Sequence, residues 1–204
     1  MNRNEITQPR EIEQLKGTFS LWCHIFNESS KIKKNIKSSD YEVALTKIGT
    51  FNDKKTFWSI YQHLKKPKDC DPGVEFELFK EGIRPVWEDE TNIDGGKFTL
   101  LLEKDYSSLM WEEIMFAFCG GVIPYFEEFN GVCLSIRKTY DVAQFWFSKF
   151  ERNKCTLMRN SIKKFFQVPP MVNMKMKTFT KLDPAKKENQ SRNDLVEYED
   201  DCES

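Results

Sequence analysis

The most informative stretch of this sequence covers residues 79–90 and reads FKEGIRPVWEDE. It places an aromatic ring, Trp87, directly before a carboxylate, Glu88. A flat ring stacks on a flat base, and a carboxylate accepts two parallel N–H donors. Guanine presents such a donor pair on its Watson–Crick edge, so this stretch favours a guanine-binding site. Two alternatives are open at this point: a core tryptophan beside a solvated acidic turn, and weak carboxylate ligands for a divalent cation.

The charge of the chain is nearly balanced but unevenly distributed. Its 204 residues carry a formal net charge of −1. Residues 181–204 contain 4 basic and 8 acidic residues, a net charge of −4, which leaves 27 basic and 24 acidic residues, or +3, in residues 1–180. A charge of +3 is too small for a protein that grips nucleic-acid backbone without specificity. A small and specific nucleotide site remains allowed.

Cysteine and histidine are too sparse and too scattered for a metal site. The sequence has 6 cysteines and 2 histidines, with no C-x-x-C pair, whereas a structural zinc site needs clustered ligands. We therefore expect no metal and no cofactor, and thiols that stay reduced. We find neither a signal peptide nor an apolar run of membrane length. These features predict a cytoplasmic protein, with the nucleus as a second compartment, and no membrane association.

Short extended segments alternate with three segments of helical period. Strands are predicted over residues 19–26, 41–48, 76–79, 85–88, 97–103, 131–138, 142–147 and 172–177. A first helix is predicted after a cap at Asn52 or Asp53 and ends at Pro67. A second is predicted after a cap at Ser107 or Ser108 and runs through residue 119. A third is predicted over residues 151–166.

The order of these elements indicates the fold class. Strand pairs, rather than single strands, separate the helices, which favours an α+β protein with an antiparallel sheet over a doubly wound fold. Gly95 and Gly96 are predicted to supply the positive-φ positions of a hairpin turn. At this length we expect one domain. The predicted organisation is a flexible arm over residues 1–17, a folded domain over 18–180 and an acidic, disordered tail over 181–204.

Ordered motifs between residues 15 and 179 resemble the eukaryotic translation initiation factor 4E family, whose members bind the methylated cap of messenger RNA. The motifs are Ile48-Gly49-Thr50-Phe51, Thr56-Phe57-Trp58, Leu78-Phe79-Lys80-Glu81-Gly82-Ile83, Trp87-Glu88-Asp89-Glu90, Gly95-Gly96 and Val168-Pro169-Pro170. The resemblance implies a single cap-binding domain. It also implies a curved antiparallel sheet of about eight strands, with three long helices on its convex face.

The resemblance assigns a role to each residue around the base. Trp87 matches one plate of the family's aromatic sandwich, and Glu88 matches the carboxylate that reads the edge of the guanine. Tyr41 matches the second plate in the class that contains the 4E-homologous protein, a translational repressor, whereas the general factor has tryptophan there. Phe19 likewise replaces a tryptophan of the general factor. Both differences place this chain nearer that second class.

The resemblance also assigns residues to the phosphates and to the methyl group. Arg137 and Lys97 match basic positions that hold the phosphate chain. Trp146 matches the tryptophan that touches the N7-methyl group. Val142 stands where the family has a further phosphate-binding lysine, so we expect weaker cap affinity than in the general factor. For Arg137 and Trp146, an exposed strand arginine and a buried sheet tryptophan are the plain alternatives.

A second family surface lies on the helices, where a partner peptide with a Tyr-x-x-x-x-Leu-apolar motif packs. Trp58 matches its tryptophan, and Glu112 and Glu113 fall in the second contact region. Glu112 replaces a leucine and Lys54 replaces an apolar residue of the general factor. A charge on a groove floor disfavours an apolar anchor. The resemblance therefore predicts a partner that differs from the usual scaffold factor.

We expect no enzymatic activity, because neither a P-loop nor a metal cluster appears in the sequence. We also expect a monomer. Within cap binding, two roles are open: an initiation factor that recruits a scaffold subunit, and a repressor that occupies the cap. A different alternative is a protein-interaction module of the same fold that has lost cap binding.

Overall fold

The structure is a computed structural model that describes residues 14–26 and 45–179. Within these ranges the chain forms seven β-strands and three α-helices. The strands are β1 (Gln14–Ile25), β2 (Leu45–Asp53), β3 (Val74–Lys80), β4 (Gly96–Leu102), β5 (Phe129–Ser135), β6 (Asp141–Phe147) and β7 (Met174–Thr178). The helices are α1 (Lys54–Tyr61), α2 (Lys104–Cys119) and α3 (Arg152–Phe165).

The strands form one antiparallel sheet in the order β2-β1-β3-β5-β6-β4-β7. The predicted α+β class with an antiparallel sheet is therefore confirmed. The strand count in the described ranges, seven, is close to the expected number of about eight. Among the helices of these ranges, none combines the length and the apolarity that crossing a bilayer requires.

Alternation along the strands separates two faces of the sheet, because successive side chains of a strand point to opposite sides. One face packs against the helices and forms the main core. Its strand residues include Phe19, Leu78, Phe98 and Phe145, all with no exposed surface. From the helices, Ile114, Phe118, Met158 and Ile162 join the same cluster. Burial of these large side chains supplies the main driving force for folding.

The other face, which we call the open face, carries polar side chains mixed with apolar ones, many of them buried, in rows that follow the strand register. One row contains Phe79, Gly131, Trp146, Lys97 and Lys177. The next contains Glu77, Cys133, Gln144, Thr99 and Lys175. A third contains His24, Glu75, Ser135, Val142 and Leu101. This face positions the candidate site.

The start of α1 and both ends of α3 agree with the predictions. Asp53 caps α1, since its carboxylate accepts hydrogen bonds from Thr56 N and Oγ1 at 2.8 Å each. These bonds hold the pKa of Asp53 below its usual value. The helix ends at Tyr61, so the predicted end at Pro67 is wrong. Helix α3 coincides closely with its predicted range, and it stops before the Pro169-Pro170 pair.

The predicted cap of α2 is wrong. The helix begins at Lys104, three residues before Ser107. Ser107 is fully buried inside its first turns and donates to Lys104 O at 3.1 Å. Ser108 Oγ accepts from Lys68 N at 3.0 Å, so this hydroxyl anchors a neighbouring turn instead. Local cap chemistry was overridden here by packing of the helix against the sheet.

Three other predictions are corrected. Residues 85–88 form turns rather than a strand. Gly95 and Gly96 do not adopt positive φ; they are needed for close backbone approach, because a Cβ at Gly95 would lie 1.8 Å from Phe147 O and one at Gly96 would lie 2.3 Å from Lys177 O. β1 begins at Gln14, so residues 14–17 belong to the sheet. The rest of the predicted arm and the predicted tail lie outside the described residues.

Candidate functional site

The turn over residues 81–95 connects β3 to β4 and carries Trp87 and Glu88. Because β5 and β6 lie between these two strands, the turn crosses the ends of both. The Trp87 side chain is 45% exposed, although a ring of this size is normally buried. Glu88 is half-buried beside it. The turn thus presents a flat aromatic surface next to a carboxylate at the edge of the open face.

Asp89 fixes the first half of this turn. Its carboxylate accepts from Arg84 N at 3.0 Å, from Thr91 N at 3.0 Å and from Thr91 Oγ1 at 2.7 Å. Burial acts to raise the pKa of Asp89, but these hydrogen bonds outweigh it and hold the pKa below its usual value. The charged form of Asp89 therefore ties both sides of the turn together around Trp87.

Two buried asparagines fix the second half. Asn92 has no exposed surface, and its Nδ2 donates to Arg84 O at 3.0 Å and to Val86 O at 2.9 Å. Asn130 Nδ2, from β5, donates to Asn92 Oδ1 and to Thr91 O at 2.8 Å each. These bonds fasten the turn to the sheet. The backbone on either side of Trp87 is held by side chains rather than by strand pairing.

Lys97 and Trp146 lie opposite each other on β4 and β6, at the same end of the sheet as the turn. Gln144 Oε1 joins them, since it accepts from Lys97 Nζ at 2.8 Å and from Trp146 Nε1 at 3.1 Å. Lys97 Nζ also lies 5.2 Å from the centre of the Trp146 ring. Burial lowers the pKa of Lys97. A cation and an aromatic ring are therefore held side by side.

Trp146 itself shows little surface. The residue is only 7% exposed, because its ring packs against Phe179 at a centroid distance of 4.5 Å and against Phe79 at 5.5 Å. Cys133 completes this small cluster, and burial raises the pKa of its thiol well above the usual value. The expected contact with a methyl group stays a prediction.

Arg137 lies beyond the opposite end of β5. Ser135 follows Gly131 by four positions on β5, which is about 13 Å along the strand. The Arg137 guanidinium donates from Nη2 to Glu75 Oε1 at 2.9 Å, and Ser135 Oγ donates to the same oxygen at 2.5 Å. Lys97 and Arg137 therefore stand at different ends of the open face. Tyr41, the expected second plate, lies outside the described residues.

The helix face of the molecule presents a second candidate surface. Trp58 of α1 is 49% exposed. Its ring contacts Phe57 and Tyr61 of the same helix, with centroids 5.3 and 5.4 Å away, and Phe116 of α2 at 5.5 Å. Phe116 is itself 40% exposed. The four rings form a continuous patch across two helices, which we call the aromatic patch.

Glu112 and Glu113 lie beside this patch in different environments. Tyr61 donates its hydroxyl to Glu112 Oε1 at 2.7 Å, so the half-buried Glu112 carboxylate is tied to a tyrosine. Burial, followed by this carboxylate, raises the pKa of Tyr61. Glu113 is exposed on the outer side of α2. The aromatic patch therefore has an acidic border.

Sequence reasoning missed several residues that shape these surfaces. Asn130 and Gln144 support the turn and the Lys97–Trp146 pair, but a lone polar residue in an apolar strand gives no signal of its partner. Phe116 extends the aromatic patch, and its position four residues after Glu112 on one helix would have indicated a shared face. In the part of the chain that the structure describes, no cluster of potential metal ligands is found.

Comparison with known proteins now defines the class. The sequence pattern of the family described as "Eukaryotic initiation factor 4E" matches residues 14–195, most of the chain. The chain therefore belongs to the eukaryotic initiation factor 4E family.

Individual relatives agree with this assignment. "Eukaryotic translation initiation factor NCBP" of Oryza sativa subsp. japonica is 32% identical over 156 residues, which are 76% of this chain and 66% of the rice protein. "Eukaryotic translation initiation factor 4E-4" of Caenorhabditis elegans is 30% identical over 131 residues, or 64% of this chain and 62% of that protein. The chain thus spans just under two thirds of the length of these relatives.

Solved structures confirm the fold. C. elegans eIF4E-3, in complex with the 4E-binding protein Mextli and a cap analog, has a TM-score of 0.71 at 23% identity, covering 81% of this chain and 92% of that one. Ascaris suum eIF4E-3 with the m2,2,7G cap has a TM-score of 0.71 at 23% identity, covering 84% and 93%. At these identities the likeness concerns the architecture.

Proposed function

We propose that this protein binds the 7-methylguanosine cap of messenger RNA on its open face and acts in translation initiation or its control. The observation that carries the proposal is the β3–β4 turn, which holds Trp87 exposed next to Glu88 by hydrogen bonds from buried side chains. Such an arrangement stabilises the backbone around a ring that the fold itself leaves uncovered. Family membership and the cap complexes of similar folds support it.

The base would stack on Trp87 while Glu88 accepts its Watson–Crick N–H groups. Methylation at N7 places a positive charge on the guanine ring, so a cation–π attraction adds to stacking. Each base–aromatic stack contributes on the order of 1–3 kcal/mol. Tyr41 is proposed as the second plate. Loss of the methyl group removes the charge, which gives the selectivity for the methylated base.

Lys97 and Arg137 are proposed to attract the phosphate chain from its two sides. Trp146, buried beneath Phe79 and Phe179, is proposed to support the wall of the pocket near the methyl group. The site would need no metal ion or cofactor. We propose a cytoplasmic, monomeric binding protein without enzymatic activity.

The aromatic patch is proposed to bind a helical peptide with a Tyr-x-x-x-x-Leu-apolar motif, supplied by a scaffold factor or a repressor. An apolar side chain would pack on the surface that Trp58 and Phe116 form together. The complex of C. elegans eIF4E-3 with a 4E-binding protein supports a protein partner for this family. Because Glu112 is bound to Tyr61, its charge is drawn to the border of the patch rather than its centre. The patch therefore keeps an apolar floor despite the glutamate.

Quenching of tryptophan fluorescence by 7-methyl-GTP and by GTP, measured in parallel, tests cap binding. We expect preferential quenching by the methylated nucleotide and its loss in Trp87→Ala and Glu88→Gln. Trp58→Phe is the matched control, since it removes an exposed tryptophan on the helix face and should leave the affinity unchanged. Equal quenching by both nucleotides, or none, would overturn the proposal and favour an interaction module that has lost cap binding.

A further inference from the structure

A series of hydrogen bonds crosses the open face and links the two cations proposed for the phosphates. At one end, Gln144 Oε1 accepts from Lys97 Nζ at 2.8 Å. Gln144 Nε2 donates to Ser135 Oγ at 3.4 Å, and Ser135 Oγ donates to Glu75 Oε1 at 2.5 Å. At the other end, Arg137 Nη2 donates to the same Glu75 oxygen at 2.9 Å. These five residues, which we call the polar network, span the neighbouring strands β4, β6, β5 and β3.

The middle of the polar network is buried, whereas its ends reach the surface. Ser135 has no exposed surface, Glu75 is 8% exposed and Gln144 is 9% exposed. The Arg137 side chain is 47% exposed, and Lys97 is half-buried. A buried polar group has given up its water and needs a partner inside the protein. The buried hydrogen bonds therefore persist and fix the positions of the two cations.

Both cations keep donors for a ligand. A guanidinium has five N–H groups and an ammonium has three. Arg137 contacts Glu75 through Nη2, and Lys97 contacts Gln144 through one of its donors. The remaining N–H groups can bind phosphate oxygens, which accept strong charge-assisted hydrogen bonds. Binding of a phosphate chain therefore does not require the polar network to break.

Holding the cations before the ligand arrives should increase affinity. Long lysine and arginine side chains lose rotamer freedom on binding, and a side chain that is already fixed loses less. Gln144 also accepts from Trp146 Nε1 at 3.1 Å, which holds its amide in place. Burial lowers the pKa of Lys97, while the Glu75 carboxylate acts to raise it. The polar network thus supports the charged form of Lys97 as well as its position.

We infer that Gln144 and Ser135 are positioning residues for the phosphate chain of the cap, which hold Lys97 and Arg137 at a fixed separation before the nucleotide binds. The inference rests on the proposed function, because it takes Lys97 and Arg137 as the phosphate contacts. Neither positioning residue has to touch the ligand. Their substitution should weaken the contribution of the phosphates and leave recognition of the base intact.

The test compares 7-methyl-GMP with 7-methyl-GTP, which share the base and differ in the number of phosphates. Affinities of the full chain are measured by tryptophan quenching. The variants are Ser135→Ala and Gln144→Met, which keeps the length of the side chain but removes its hydrogen bonds. The control is Ser107→Ala, since Ser107 is equally buried but lies in α2. Thermal unfolding of each variant verifies that it is folded.

The wild type should bind 7-methyl-GTP more tightly than 7-methyl-GMP, because the triphosphate offers more oxygens to the two cations. Gln144→Met should weaken 7-methyl-GTP binding about fivefold and 7-methyl-GMP binding less than about twofold, because the cations must then be immobilised on binding. Ser135→Ala should weaken 7-methyl-GTP binding about threefold, and Ser107→Ala should change neither affinity. Equal losses for both nucleotides in Gln144→Met, or wild-type affinity for 7-methyl-GTP, would overturn the inference.

A double substitution tests whether Ser135 acts through Arg137. In an Arg137→Gln background, Ser135→Ala should have no further effect on 7-methyl-GTP binding, because the side chain that it helps to position is already absent. The same loss from Ser135→Ala in the wild type and in the Arg137→Gln background would refute this link.

The proposed function and this inference fail in different ways. If the wild type does not distinguish 7-methyl-GTP from GTP, cap binding fails, whatever the variants of the polar network do. If that preference is intact while Gln144→Met and Ser135→Ala bind 7-methyl-GTP as the wild type does, only the positioning role fails.

Discussion

Two exposed tryptophans on opposite sides of the molecule are held in place by different kinds of interaction. Trp87 sits on a turn whose backbone is fixed by hydrogen bonds from Asp89, Asn92 and Asn130. Trp58 sits on a helix and leans on the rings of Phe57, Tyr61 and Phe116. They are nearly equally exposed, at 45% and 49%.

The difference shows what each surface requires of its neighbours. Hydrogen bonds are directional and fix the position of a turn, which suits recognition of a small rigid base. Ring contacts tolerate small shifts, which suits packing of apolar peptide side chains. Substitutions of polar residues should therefore damage the first surface, and substitutions of rings should damage the second.

The largest effect is expected for Asn92→Ala. The substitution removes the hydrogen bonds to Arg84 O and Val86 O and the one from Asn130 Nδ2. At about 1–1.5 kcal/mol for each bond, the free energy of unfolding should fall by about 3–4 kcal/mol. Affinity for 7-methyl-GTP should fall at least tenfold, by about 1.4 kcal/mol or more. Denaturant unfolding and quenching measure the two. Glu90→Ala, exposed in the same turn, is the control. Unchanged affinity in a destabilised Asn92→Ala would show that the turn does not position Trp87.

Low pH should destabilise the protein through His24, which lies on the open face. Burial lowers its pKa to about 4, from a usual 6.5. The unfolded chain therefore binds a proton that the folded protein excludes, and the free energy of unfolding should fall by up to about 3 kcal/mol as the pH drops from 6.5 to 4. His24→Phe should flatten this part of the pH profile of denaturant unfolding, whereas His63→Gln, in the exposed turn after α1, should not. Identical pH profiles in the wild type and both variants would refute the assignment of this acid sensitivity to His24.

Substitution of rings in the aromatic patch should separate the two surfaces. Trp58→Ala and Phe116→Ala should each weaken the binding of a synthetic Tyr-x-x-x-x-Leu-apolar peptide by about 2 kcal/mol, as expected for anchor residues. Both should leave 7-methyl-GTP affinity unchanged. Trp87→Ala should instead weaken 7-methyl-GTP binding and leave peptide affinity unchanged. Calorimetric titration measures both ligands, with Leu157→Ala on α3 as the control. Loss of both ligands in one variant would mean that the surfaces are not independent.

The smallest effect is expected for Tyr61→Phe. Loss of the hydrogen bond to Glu112 should lower the free energy of unfolding by about 1 kcal/mol. The released carboxylate should then weaken peptide binding slightly, while the ring contacts with Trp58 persist. Tyr106→Phe, on an exposed tyrosine of α2, should leave both quantities unchanged. Peptide affinity that rises in Tyr61→Phe would contradict the idea that the bond keeps the charge off the patch.

The strand and helix pattern was largely predictable because it depends on local periodicity. Neighbouring residues are enough to indicate the strands β5 and β6 and the Asp53 cap of α1. The start of α2 and the role of Gly95 and Gly96 were mispredicted. A serine can cap a helix or lie within one, and a glycine can serve a turn or a close approach. Distant contacts, such as that of Gly95 with Phe147 O, decide between these uses.

The features of the candidate site also divide into those that the sequence predicts and those that only the tertiary structure decides. The sequence by itself determined the pairing of Trp87 with Glu88 and the family to which they belong, because adjacent residues carry both. Only the tertiary structure decided that Asn130 supports the turn, that Glu75 binds Arg137, and that the β7 lysines align with Lys97. Strand order and register bring these residues together across long stretches of chain, and no local pattern encodes either.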